Sequence, residues 1–496
     1  MSTVDIVIFI VFLTAIVLFG ASFYKKNRTS DDYSTGGGTL PAWVIGLSIF
    51  ATFVSSISFL ALPGAAFLSN WNSFVFSLSI PVAIFMAIKF FIPLYRKVGS
   101  PSAYTYLEER FGSWAKNYVA SFWLLTQVMR VAVILYLLAL PMYVILGWDM
   151  RIIIVITGIS VTVFSTLGGI KAVVWTDAIQ AIILIAGAIL TLGFILFSLP
   201  EGPGQYFSVA AQYGKFSLGD LGLSLTESTF WVVFIYGIFI NLQNYGIDQN
   251  YIQRYMTAKS EKEAISSAFG GGLLYIPVSL LFFMIGTGLF VYYTVFPDLL
   301  PLEFREAGMS DSIFPYFIVH GLPSGVTGLL IASIFAAGMS TISTSLNSGA
   351  TVIYNDFYKR YTKRELQEKD GVNILYLATA GISILGVVIS FFIIRVESAL
   401  DIWWNLAGIF SGGMLGLFLL GYLSKKVTNF SAMIGVALGL LVIIWMSLSP
   451  AYFTGSFEAF QNPLHSYLTI VVGTLVIFFT GFFLSVLLPK LNKNNS

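Results

Sequence analysis

The feature that most constrains this chain is the recurrence of apolar, helix-length runs from one end to the other. Stretches of mainly apolar residues fall at 5–24, 42–68, 72–95, 118–147, 152–170, 172–198, 228–248, 264–293, 324–353, 372–395, 401–422, 428–448 and 466–489. A helix of about 20 residues crosses a hydrocarbon core of roughly 30 Å, so each run is a predicted membrane span. About thirteen spans with no long hydrophilic block between them predict an all-α integral membrane protein with one polytopic domain over 1–496. With 57% hydrophobic and only 10% charged residues, the chain has too little polar surface to cover a soluble globule. There is accordingly no soluble enzyme domain to find. The absence of cysteine excludes disulfides, thiolate metal sites and cysteine nucleophiles, and two histidines leave little for zinc. Basic residues are spread over loops, which gives no patch for nucleic acid.

Charge placement sets the expected orientation. Residues Lys25, Lys26 and Arg28 follow the first run and no basic residue precedes it, as in an uncleaved span. With the N-terminus outside, the inner loops and helix ends carry 21 Lys and Arg against four outside, Arg151, Lys215, Arg305 and Arg395. The positive-inside rule therefore predicts an outer N-terminus and a cytoplasmic C-terminus. The outer segments Pro200 to Ser228 and Phe296 to Gly321 are long enough for short surface helices or a partial lid. The inner segment Tyr354 to Asp370 is charge-rich and reads as a solvated connector that meets anionic headgroups.

Within this frame the run from Trp43 to Phe67 stands out. It carries Ser55, Ser56 and Ser58 near its middle and Pro63-Gly64 near its end, where a plain anchor would carry leucines. A broken membrane helix leaves carbonyls and amides unpaired, which hydrocarbon tolerates only around a cavity, ion or substrate. The competing reading is an unbroken Ser-rich helix in close packing with a neighbour. Arg130 lies near mid-bilayer in the fourth run with no acid in the same run to pair with it. A guanidinium there serves either as an anchor for an anionic substrate, gripping a carboxylate bidentately, or as a structural cation satisfied by helix-end carbonyls. Asp177, about one and a half turns into the sixth run, offers a cation ligand or a proton carrier; the other reading is an interfacial pair with Lys171. In the ninth run Ala337, Ser340, Thr341 and Thr344 follow i, i+3, i+4 and i+7, with Ser343 beside them. That hydroxyl stripe either binds a cation or glues helices, and its depth matches that of Asp177. Asn241, Gln243 and Asn244 could hydrogen-bond a sugar or amide, or cap their helix. The triple glycine at 36–38 precedes no Lys-Ser and is no phosphate loop.

Several blocks in this order resemble the sodium:solute symporters: DDYSTGGGTLPAWVIGLSIFATFVSSISF at 31–59, SAYTYLEERFG at 102–112, GGIKAVVWTDAIQ at 168–180, DQNYIQRY at 248–255 and AAGMSTISTSLNS at 336–348. Within that family the chain is most similar to bacterial sialic acid transporters, notably through SSIS at 55–58 and MRVAVILYL at 129–137. The resemblance implies a LeuT-type fold of two inverted five-helix repeats, each opening with a broken helix. The repeats would occupy about 42–198 and 228–422, after an extra span at 5–24 and before spans within 428–489. It implies sodium-coupled import of sialic acid (N-acetylneuraminate) across the bacterial inner membrane, in a bundle compatible with a monomer.

The sodium site shared by the family would use the carbonyls of Ala51, Val54 and Ala337 with the hydroxyls of Ser340 and Thr341. A second sodium site would use Asp177, Ser340, Ser343 and Thr344. Arg130 would meet the substrate carboxylate, with Ser55, Ser56 and Ser58 beside it. At Ser77 and Ser73 the chain departs from the glutamine and aromatic residue of such transporters, which leaves the distal grip on the sugar altered. The residues by themselves keep other readings open: a sodium symporter for another organic anion, a sugar or proline, or a transporter-like sensor or channel.

Overall fold

The architecture follows from how each run satisfies its backbone. A computed structural model describes residues 2–26, 29–146, 148–302, 310–362, 368–394 and 413–487. Helix α1 (Thr3–Ala21) starts at a capping box in which Ser2 and Asp5 serve each other's backbone amides. The second expected span divides into α2 (Ala42–Phe53) and α3 (Ser56–Leu68), and α4 (Asn72–Val98) is followed by left-handed Gly99. Next come α5 (Ser113–Leu146) and α6 (Met150–Phe197). The outer segment forms one surface helix, α7 (Pro203–Gln212). Beyond it lie α8 (Phe230–Ile247), α9 (Gln249–Met256), α10 (Glu261–Val295), α11 (Ser310–His320) and α12 (Val326–Val352). The chain closes with α13 (Glu368–Ile393), α14 (Gly413–Leu423), α15 (Asn429–Tyr452) and α16 (Leu468–Leu487).

Among the described residues ten helices are long and apolar enough to span a membrane, and the bent pair α2–α3 makes an eleventh. The expected spans 152–170 and 172–198 are merged in the 48 residues of α6. That length corresponds to about 72 Å of helix, more than twice a hydrocarbon core. The kink between the two sits at Gly169, whose φ of 56° and ψ of −161° lie in a region reserved for glycine. Of the expected span 401–422 only α14 falls within the described residues.

Two interruptions and one continuous helix matter for the site. Helix α2 stops at Phe53, Val54 and Ser55 are extended, and α3 leaves at a 54° bend. Asp248 is extended between α8 and α9, so the span that begins the second half of the chain is broken as well. Helix α12 is buried at every residue from Leu330 to Val352 and forms the central post, packed against α5, α6, α1 and the end of α2.

Peripheral elements hold the ends of these pieces. Asp5 accepts from the amides of Gly325 (2.7 Å) and Gly328 (2.9 Å), capping the N-terminus of α12 from another helix. Lys215, beyond α7, donates to the carbonyls of Phe67 (2.6 Å) and Ser69 (2.9 Å), closing the C-terminus of α3. The expected connector at 354–370 begins as a wide helical turn, Ile353–Tyr358, and its residues 363–367 lie outside the described residues.

Gly169→Ala should lower the thermal unfolding midpoint in detergent by the equivalent of about 1–3 kcal/mol, because alanine cannot adopt that backbone without strain. Gly193→Ala, with open space around the added methyl, should leave the midpoint unchanged or slightly raised.

Candidate ion and substrate site

The break in α2–α3 has physical consequences at once. With Val54 and Ser55 extended, the last carbonyls of α2 lose their helical donors. Arg130, on α5, answers one of them: its Nη2 donates to the Thr52 carbonyl at 3.3 Å. Ser55 is the N-cap of α3, its hydroxyl accepting from the amide of Ser58 at 3.4 Å. The side chain of Ser56 lies outside the described residues. Ser58 lies near the buried Tyr275 of α10. An aromatic cluster covers the break, with Phe53 stacked on Tyr245 and tilted 4.4 Å from the ring of Tyr275.

One turn before the break, Asp177 is wholly buried and fully engaged. Ser48 donates to its Oδ2 at 2.6 Å and Ser340 to its Oδ1 at 2.7 Å, so α2, α6 and α12 meet on one carboxylate. Its partner is not Lys171, which pairs instead with Asp32 at 3.3 Å. The partner is Arg254 of α9, whose Nη2 lies 2.7 Å from Oδ2, with both side chains fully buried. The same guanidinium reaches Ser48 Oγ (2.7 Å), Thr344 Oγ1 (2.6 Å) and the Asn250 carbonyl (2.6 Å). Two of the four residues expected around a second sodium, Asp177 and Thr344, are thus held by one cationic side chain. Ser343 donates to the Ser340 carbonyl and Thr341 to that of Ala337, both fully buried hydroxyls with acceptor capacity left. Ala51, Val54 and Ala337 are buried where α2 ends against α12.

The distal residues divide. Ser77 shares a 2.8 Å hydrogen bond with Ser279 of α10, adjoining Tyr275, whereas Ser73 is exposed in the first turn of α4. Asn241 ties α8 to α4 through the Phe76 carbonyl and Ser79, which is a structural use of its amide. The Gln243 side-chain oxygen is buried without a partner, and its main-chain carbonyl receives the Asp248 amide at the second break.

Helix α9 coincides with the block DQNYIQRY, to which the sequence assigned no site residue. Arg254 is one of the 21 Lys and Arg that the charge pattern assigns to inner loops and helix ends, yet Gln249 to Tyr255 are all buried. A polar helix can be buried only if most of its groups are matched, and here most are, with Asn250 Oδ1 left without a donor. Asp248 caps the helix through the Asn250 amide (2.7 Å), and Asn250 donates to Gln127 of α5 (3.1 Å). Gln253 binds the Ser34 carbonyl, Asn347 and Thr351. The usable signal was the density of polar side chains in DQNYIQRY directly after an apolar run.

A profile of the sodium:solute symporter family matches residues 33–439. The sodium/sialic acid symporter SiaT of Proteus mirabilis is 34% identical over 469 residues, 94% of this chain and 92% of that one. The sodium/sialic acid symporter NanT of Aliivibrio fischeri is 32% identical over 498 residues, 99% and 94% of the two chains. A solved structure of a substrate-bound, outward-open state of a sodium-coupled sialic acid symporter matches with a TM-score of 0.90 at 31% identity, over 98% of each chain.

Removing one partner of a buried ion pair leaves an uncompensated charge, at a cost of about 3–5 kcal/mol. Asp177→Asn and Arg254→Gln should each lower the unfolding midpoint sharply. The double variant should lose clearly less than the sum, as a tryptophan-fluorescence melt of all three against wild type will show.

Proposed function

The chain belongs to the sodium:solute symporter family, and on that basis we propose that it imports sialic acid (N-acetylneuraminate) by sodium-coupled, alternating-access symport. It is a multi-pass transporter and not an enzyme. The observation that carries the reading is the meeting of opposite charges at a helix break. Arg130 reaches the open end of α2 from one side, and Asp177 with the α12 hydroxyl stripe lies one turn away on the other. A guanidinium beside the positive N-terminal end of α3 suits a carboxylate, and a set of hard oxygens suits an alkali cation.

In this reading Arg130 binds the substrate carboxylate with Ser55, Ser56 and Ser58 beside it, and Ser77 lies at the sugar's distal end. The exposure of Ser73 and the α8–α4 tie made by Asn241 give these two, and Gln243, a lesser share. One sodium takes the carbonyls of Ala51, Val54 and Ala337 with Ser340 and Thr341. A second takes Asp177, Ser340, Ser343 and Thr344. The N-terminus faces outward and the C-terminus faces the cytoplasm, in a bacterial inner membrane. The transport core comprises two repeats, 42–198 and 228–422, within the single domain.

The driving force suffices. Two sodium ions entering with one monoanion down a tenfold gradient, at about 1.4 kcal/mol per tenfold step, supply about 2.8 kcal/mol. A potential of about 100 mV adds about 2.3 kcal/mol for the one net charge. Together they sustain more than about a thousandfold accumulation.

Uptake of labelled N-acetylneuraminate into proteoliposomes tests this directly. Saturable uptake should require an inward sodium gradient and survive collapse of a proton gradient; sodium-independent or non-saturating flux would favour a channel or another coupling ion. Arg130→Ala should abolish uptake, and full activity would leave that residue a structural role. Asp177→Ala should lower the sodium Hill coefficient from about two towards one, the change expected when one of two coupled sites is lost.

A further inference from the structure

On the face that charge placement assigns to the cytoplasm lies a cavity of about 500 Å³ that the symport reading leaves without a role. Its walls come from four parts of the chain: residues 30–38 before α2, the turn after α4, the end of α9 and the turn after α12. Three of these parts bring one cation each, Arg96, Lys259 and Lys359, and the first brings one carboxylate, Asp31. Among the described residues none of the four is in an ion pair. The cavity therefore has an excess of two positive charges. Asp31 is engaged within its own turn, its Oδ1 accepting from Thr35 Oγ1 at 2.6 Å.

Cations at this level satisfy the positive-inside rule wherever they stand, so charge alone makes no site. Three further features do. Arg96 is held in place, because its Nη1 donates to the Ala258 carbonyl at 3.1 Å. Ser34, 1% exposed at the cavity wall, has a hydroxyl without a partner, although its carbonyl is bound by Gln253 at 2.7 Å. Gly37 and Gly38, with φ of 63° and 60°, form a wall with no side chain to fill the space. A guanidinium, two ammonium groups and a hydroxyl suit the oxygens of a phosphate, and two excess charges match its dianion. A monocarboxylate would leave one of those charges unmatched.

We propose that this cavity is a binding site for a phosphate-bearing anion, which bridges Arg96, Lys259 and Lys359 and holds the inner side of the carrier closed.

The closure follows from what the cavity adjoins. Gln253 of α9 donates to the Ser34 carbonyl, to Asn347 at 2.8 Å and to Thr351 at 3.0 Å. It thereby ties residues 30–38, α9 and α12 together one layer above the cavity, and the Leu40 amide adds a bond to the Thr257 carbonyl at 3.2 Å. Release of a solute on this side requires α9 and residues 30–38 to part from α12. Lys259 follows α9 and Lys359 follows α12, so an anion shared between them spans the same seam. A ligand that binds only the closed arrangement shifts the carrier towards it. The site itself does not depend on the symport reading, whereas its effect on transport does.

The test is a thermal melt of purified full-length protein in non-ionic detergent, titrated with potassium phosphate against potassium chloride of matched ionic strength. The midpoint should rise saturably with phosphate and not with chloride, because a ligand of the folded state stabilises it. The double variant Lys259→Gln/Lys359→Gln alters two exposed side chains and should raise the half-saturating concentration by about tenfold or more. Asp31→Asn removes the opposing charge and should lower it. The same melt in micelles doped with phosphatidylglycerol identifies the source. A rise with the lipid alone assigns a headgroup, a rise with free phosphate alone a soluble ester or ion, and a rise with both the phosphate group itself. Equal shifts in the wild type and the double variant, or no shift with either probe, overturn the site. In proteoliposomes the probe that binds, supplied on the inner side, should slow sodium-driven uptake of N-acetylneuraminate by the wild type and not by the double variant. Unslowed uptake beside a melt shift confined to the wild type overturns the closure and leaves the site. Absence of any sodium-driven uptake overturns the symport reading, and the melt still decides the site.

Discussion

An interrupted helix inside a membrane is the constraint on which the rest of this structure depends. Where α2 ends at Phe53 and α3 begins at Ser56, and again where Asp248 separates α8 from α9, backbone groups lose their partners in a region without bulk water. Three polar groups at these breaks answer that deficit. Arg130 donates to the Thr52 carbonyl, Ser55 caps α3, and Asp248 caps α9. The same exposed helix ends that call for such partners are suited to an anion at an N-terminus and a cation among carbonyls. The need for stability and the opportunity for binding share one origin.

The second organising fact is the buried pair of Asp177 and Arg254. Two charges at zero exposure carry a desolvation penalty that a single contact repays only with further hydrogen bonds, and here each charge has them. Ser48, Ser340, Thr344 and the Asn250 carbonyl divide the remaining lone pairs and protons. The hydroxyl stripe of α12 forms one wall of the polar seam that encloses this pair, through Ser340 on Asp177 and Thr344 on Arg254.

Around this seam the peripheral elements act on helix ends. Asp5 caps the N-terminus of the central α12 from α1, and Lys215 closes the end of α3 from the outer segment. Both contacts come from elements far away in sequence, and both fix pieces that carry proposed ligands. The ends of half-helices are the points at which an alternating-access transporter of the LeuT type must change its contacts.

The sequence by itself determined the class of molecule. Apolar length, charge placement and the serines at 55, 56 and 58 already pointed to a helical membrane bundle with a broken second span, because those properties depend only on local composition and the thickness of a bilayer. It also determined that Arg130, Asp177 and the stripe from Ala337 to Thr344 were costly in hydrocarbon and needed partners. Which partners they found only the tertiary structure decided. Lys171, close to Asp177 in sequence, pairs with Asp32, while Arg254, 77 residues away, takes the carboxylate. Gln249 to Tyr255 falls between the apolar runs 228–248 and 264–293, and only packing against α2, α10 and α12 buries it. Spacing along one helix fixes a face, but the identity of the opposing face depends on how α2, α6, α9 and α12 pack. Long-range pairing of charges is a property of that packing and has no local signature in the chain.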